Sequence, residues 1–239
     1  MDNLIMVQAL GELVGTFILV LLGDGVVAGV SLAKTKANGA WLDCNYVRLG
    51  VCRNARCLRI SIYGPCSFEP AVTLAFAIIG KVSWSVVLPF IIAQMIGAFL
   101  GAVVVWIQYY PHWQATDDQS AILGTFATGP AIRSPFANLM SEIIGTFVLV
   151  FALLALTRGQ FTEGLNPLVV GVIITAIGLS LGGTTGYAIN PARDLGPRIA
   201  HAVLPIANKG DSDWQYSWIP VIGPFVGGIL GALLFVLLP

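Results

Sequence analysis

Charge is what this sequence has least of. Asp, Glu, Lys and Arg together make up 10% of its 239 residues, where a soluble domain carries about a quarter. So little charge excludes an ordinary soluble globular protein. The two signs balance, with 12 basic and 12 acidic residues, so nothing in the charge points to nucleic acid or to an anionic partner. The first residues, Met1-Asp2-Asn3, lack a basic n-region, and no small-residue cleavage site follows. The first apolar run is therefore expected to be a mature helix and not a removable signal. Cysteine is scarce and oddly placed, with all four copies inside residues 41–69. Outside that stretch there is no nucleophile–base pair and no metal-ligand spacing, so neither an enzyme nor a cofactor is expected.

What is present is apolar: 56% of the chain is hydrophobic and mean hydropathy is +0.84. The runs at 5–30, 83–108, 139–156, 165–182 and 219–238 each approach the ~20 residues that a bilayer demands. Those at 70–80 and 195–204 are about half as long. Polar loops are expected at 31–40, 109–138, 158–164 and 208–214. Glu12 and Asp24 lie in the first run, and each could reach the interface from near a helix end. For Glu12 the favoured reading is a carboxylate turned inward to anchor backbone N–H groups of a broken segment.

Residues 41–69 break the pattern. They carry Cys44, Cys52, Cys57 and Cys66 together with Arg48, Arg53, Arg56 and Arg59. Five charges between Trp41 and Tyr63 would each cost ~2.5–3.5 kcal/mol at a helix centre, so this piece cannot span as it stands. The cysteine gaps of seven, four and eight residues do not match the short pairs of zinc modules.

The chain also repeats itself. Gly11-Glu12-Leu13-Val14-Gly15-Thr16-Phe17-Ile18-Leu19-Val20 matches Ser141-Glu142-Ile143-Ile144-Gly145-Thr146-Phe147-Val148-Leu149-Val150 at an offset of 130. Glu69-Pro70-Ala71-Val72 echoes Asn190-Pro191-Ala192-Arg193 at an offset of 121. Each half, approximately 5–108 and 139–238, reads as three spans plus a short segment opened by proline. An odd number of spans per half makes the halves run oppositely through the membrane. The glycines Gly15, Gly145, Gly97 and Gly101 are read as close-packing positions between helices.

Proline in the first turn of a helix costs no hydrogen bond, and the preceding Asn190 can cap it. Two such half-helices meeting head to head would set two positive dipole ends at mid-membrane. Arg193 would stand beside them as a fixed positive charge with several donors, the alternative being an arginine paired to a carboxylate. Asp194 and Arg198 are expected to brace the loop.

These residues resemble the major intrinsic protein family, and within it the glycerol facilitator branch. The stretch Gly186-Tyr187-Ala188-Ile189-Asn190-Pro191-Ala192-Arg193-Asp194-Leu195-Gly196-Pro197-Arg198 looks like that branch almost residue for residue. The resemblance covers the chain outside 41–69. It implies an all-α, aquaporin-like inverted repeat of six transmembrane helices plus two half-helices, forming one channel domain over residues 1–239. It also implies a plasma-membrane homotetramer with both termini in the cytoplasm, passing glycerol and other small neutral solutes. By the same resemblance Arg193, Tyr187 and Gly178 form the selectivity filter, with Tyr187 where glycerol channels usually have phenylalanine. Asn190, Pro191 and Ala192 form one signature box; Pro70 and Ala71 belong to the other, where Glu69 replaces an asparagine. Glu12 and Glu142 match the glutamates that brace the half-helices.

A shifted reading frame accounts for the anomaly. Every adjacent residue pair limits the codon read one base later. The junction of Leu49 and Gly50 permits tryptophan, and that of Glu69 and Pro70 permits asparagine. Read this way, residues 41–69 permit a stretch without carboxylate, lysine, arginine or cysteine. It contains the family's missing filter tryptophan and completes the first Asn-Pro-Ala box. One spare base before Trp41 and one missing base near Pro70 suffice. The chain as it stands is then expected not to conduct. The other readings are a non-conducting membrane protein and a secondary transporter, the latter lacking any carboxylate for an ion site beyond Glu12 and Glu142.

Overall fold

A computed structural model describes residues 2–40, 68–157 and 165–238. The second span expected in the first half, the four cysteines and the junctions that would restore the filter tryptophan lie outside the described residues.

The described residues form helices and connecting turns: α1 (Asp2–Ser31), α2 (Pro70–Ile78), α3 (Trp84–Gln108), α4 (Tyr110–Ala115), α5 (Gln119–Phe126), α6 (Pro135–Leu156), α7 (Leu165–Leu181), α8 (Pro191–Val203) and α9 (Ile219–Leu237). Helices α1, α3, α6 and α9 are long and apolar enough to cross a membrane. Helix α7, with 17 residues, extends about 26 Å at 1.5 Å per residue, close to the ~30 Å hydrocarbon core.

One expectation changes. Residues 109–138 are not a plain polar loop, because they hold α4 and α5. Asp118 nucleates the second of these: its carboxylate accepts from the backbone N–H groups of Ser120 and Ala121. The Ser120 hydroxyl and those N–H groups hold the Asp118 carboxyl below its usual range. The second half-helix starts at Pro191 with Asn190 as its cap, as the proline-opened reading has it, so the apolar run that begins at residue 195 is only its later part.

The long helices are sided by side-chain size. On α3 the exposed Leu88, Ile92, Ile96 and Leu100 recur every four residues, which forms one outward stripe. The opposite face buries Ala93, Gly97, Ala98, Gly101 and Ala102. A Cβ at Gly97 would sit 2.2 Å from the Leu13 carbonyl oxygen, and one at Gly101 would sit 2.7 Å from that of Phe17, so α1 and α3 touch backbone to backbone. Gly227 and Gly231 do the same between α9 and α6, at 2.2 Å from the Ile143 oxygen and 2.6 Å from that of Phe147. Small residues permit such contact where lipid offers no hydrophobic drive for association.

The half-helices cross over. Helix α8 packs against α3 of the opposite half, with α1 and α5 beside it, while α2 packs against α9 and α3. Each is thus clamped by long helices from the other half, and their first residues come together at the centre.

Candidate functional site

Both half-helices start from backbone that side chains seldom tolerate. Phe68 has φ +52°, Tyr187 +38° and Ile189 +38°, in the left-handed region where a β-branched residue is an outlier. Such strain persists only where the surroundings over-determine it, and here one buried carboxylate per half does so. Glu12 Oε2 accepts from the Phe68 N–H at 2.7 Å and from Gln94 Nε2 at 2.7 Å. Gln94 Nε2 also reaches Thr73 Oγ1 of α2 at 3.1 Å. Glu142 accepts from the Ala188 N–H at 3.1 Å, the Ile189 N–H at 2.8 Å and the Thr185 hydroxyl at 2.7 Å.

One turn along each helix a glycine completes the seat. A Cβ at Gly15 would lie 2.0 Å from the Phe68 ring, and one at Gly145 would lie 2.8 Å from Ile189 Cγ2. Among the described residues, Gly15 and Gly145 therefore make room for the strained residues before the half-helices. Gly97 and Gly101 alone, of the four, play the helix-packing part anticipated for them.

The two half-helices are capped differently. Asn190 Oδ1 accepts from the N–H groups of Ala192 and Arg193, both at 3.0 Å. Its Nδ2 donates across the molecule to the Phe68 carbonyl at 3.0 Å, joining the two helix starts. Pro191 and Ala192 occupy the buried first turn of α8, as Pro70 and Ala71 do in α2. Glu69 stands at the cap of α2 but makes no side-chain capping bond. The two positive dipole ends thus meet at the Asn190–Phe68 bond, with one cap formed by an amide and the other position held by a carboxylate.

A cavity opens beside this junction, lined by Leu19, Gly23, Asp24, Gly186, Tyr187, Ala188 and Arg193. Arg193 Nη1 donates to the Phe126 carbonyl at 3.2 Å. Its Nη2 lies 3.2 Å from Asp24 Oδ1. The lone fixed cation expected at this point is therefore half of a pair. Asp24 does not reach an interface but is 1% exposed against the arginine. The sequence held a signal for this: Val26-Val27-Ala28-Gly29-Val30 follow Asp24, leaving nearly two further turns of apolar helix beyond the charge. Gly178 is buried on α7 and is not among the cavity-lining residues, whereas Tyr187 and Arg193 share the cavity wall.

Asp194 and Arg198 face away and lock the surrounding loops. Asp194 accepts from the Thr128 N–H at 2.8 Å and from Arg198 Nε at 2.9 Å. Arg198 donates in turn to the carbonyls of Thr128, Ser212 and Asp213. A charge pair this buried is retained only with its remaining donors satisfied, and these carbonyls satisfy them.

Comparison with known proteins agrees with this geometry. The profile of the family described as "Major intrinsic protein" matches residues 3–235. The chain is 62% identical to glycerol uptake facilitator protein 3 of Lactiplantibacillus plantarum, over the full length of both. It is 53% identical to the glycerol uptake facilitator protein of Bacillus subtilis, covering 94% of this chain and 82% of that one. Among solved structures it is similar to the aquaglyceroporin from Plasmodium falciparum, with a TM-score of 0.85 at 26% identity, covering 97% of this chain and 95% of that one. With buried carboxylates bracing two proline-started half-helices and this likeness along its whole length, the chain is a multi-pass membrane protein of aquaporin-like fold and belongs to the major intrinsic protein family.

Proposed function

We propose that this protein is a passive channel for glycerol, and for water and other small neutral solutes, in the plasma membrane. Four copies would assemble, each with its own pore built from two inverted repeats. The observation that carries the reading is the cavity holding Arg193 and Tyr187 beside two helix starts joined by the Asn190–Phe68 bond. The names of the relatives support glycerol as the solute.

The physical roles follow from the chemistry. Arg193 offers donors to solute hydroxyls, and Tyr187 offers a ring face to the solute's C–H edge with a hydroxyl that makes the filter narrower or more polar. Gly178 would leave room for a carbon backbone. One N–H of the Asn190 amide is committed to Phe68, and the other is offered to a passing hydroxyl. The two dipole ends oppose a cation at mid-membrane, so protons do not follow the solute. Glu12 and Glu142 brace the half-helices from behind. The conducting form is the one whose residues 41–69 are read in the alternative frame, which supplies the second span and an asparagine in place of Glu69.

Osmotic swelling of vesicles containing the frame-restored chain tests this. Glycerol influx should exceed that of empty vesicles, rise linearly with concentration and ignore a proton gradient. Influx that saturates or collapses with a protonophore would instead establish a coupled transporter.

A further inference from the structure

The buried carboxylate beside the arginine has no place in the roles just described. Asp24 is 1% exposed and shares the cavity wall with Arg193, yet among the described residues neither of its carboxylate oxygens accepts a hydrogen bond. Among the described residues its ion-pair partner is Arg193, with Nη2 at 3.2 Å. A buried acceptor that is left unsatisfied is costly, and this one lies in the cavity wall, within a small side-chain movement of whatever enters. Leu19 and Tyr187 line the same cavity and add apolar surface to its wall.

We infer that Asp24 is a specificity-determining residue of the constriction, accepting hydrogen bonds from solute hydroxyls while Arg193 donates to them. The inference rests on the channel reading and narrows its substrate class. A cavity whose wall combines a donor, an acceptor and apolar surface fits a vicinal polyol, whose hydroxyls both give and take hydrogen bonds and whose other edge is C–H. Water, small enough to pass with fewer contacts, depends on Asp24 less than glycerol does.

The test compares glycerol and water permeability of proteoliposomes carrying the full-length chain in both frames over 41–69, with Asp24→Ala and Asp24→Asn in each. Losing a hydrogen bond to the solute is expected to cost up to about tenfold. The glycerol-to-water ratio should therefore fall by up to about tenfold in Asp24→Ala, whereas Asp24→Asn, which keeps a carbonyl acceptor, should stay within about threefold of the parent. Size-exclusion elution of each variant checks assembly. An unchanged or raised ratio in Asp24→Ala, or an equal fall of both fluxes with loss of assembled protein, would overturn the inference and leave Asp24 a structural partner of Arg193. Glycerol flux absent from the parent in both frames would refute the channel reading itself, and this inference with it.

Discussion

Glu142→Leu is expected to abolish glycerol flux and to leave little assembled protein. The carboxylate takes three hydrogen bonds, from Thr185, Ala188 and Ile189, and leucine returns none of them. Each buried donor left unmatched costs about 1–3 kcal/mol. The strained backbone at Tyr187 and Ile189 then has nothing to hold it, and each such residue stores about 1–3 kcal/mol. The three unmatched donors alone cost roughly 3–9 kcal/mol, which rivals the whole stability of an ordinary domain, about 5–15 kcal/mol. Asn190 and Arg193 would lose their positions as α8 detached from its brace. Glu142→Gln keeps one carbonyl acceptor and should fall between the two, with reduced thermal stability in detergent but measurable flux. Fluorescence-detected size exclusion and vesicle swelling read both quantities. A Glu142→Leu protein that assembles and conducts within about twofold of the parent would show that the brace is dispensable, against the cost of unmatched buried donors.

The second large effect concerns residues 41–69. The chain as it stands should give glycerol flux no greater than empty vesicles, and the frame-restored chain should conduct. Five charges in one would-be span cost about 12–18 kcal/mol in total at the helix centre, more than neighbouring contacts return. The described residues add an independent sign. Asn190 caps α8 with two hydrogen bonds, while Glu69 caps nothing at the matching place on α2. An asparagine there would regain a cap worth about 1 kcal/mol and a second amide at the junction. Resequencing the gene and assaying both chains decide the matter. An uninterrupted frame encoding 41–69 as they stand, with equal glycerol flux from that chain, would end the frame hypothesis.

Much of the architecture was legible because the membrane imposes lengths. Apolar runs of about 20 residues locate α1, α3, α6, α7 and α9 to within a few residues. The match between the Glu12 and Glu142 segments pointed to the two carboxylates now found under the half-helix starts. Other features could not be read so. Helices α4 and α5 are only 6 and 8 residues long, and the second depends on a cap at Asp118 that hydropathy does not register. The apolar residues after Asp24 told against an interfacial position, but only the fold brings it to Arg193, 169 positions away in the chain. Gly15 and Gly145 have the small size that helix packing requires, so their actual neighbours, Phe68 and Ile189, emerge only from the three-dimensional arrangement.

The central claim is that solute crosses the membrane through the cavity beside Arg193 and Asn190, and a thiol block tests it most directly. All four cysteines lie within 41–69 and the alternative frame permits a stretch with none, so in a frame-restored chain built on that cysteine-free reading Leu19→Cys places a single thiol on the cavity wall. A small thiol-reactive mercurial should stop glycerol flux through Leu19→Cys and leave the cysteine-free parent untouched. Full modification of that thiol with glycerol flux unchanged would contradict the account, because the path would then lie elsewhere.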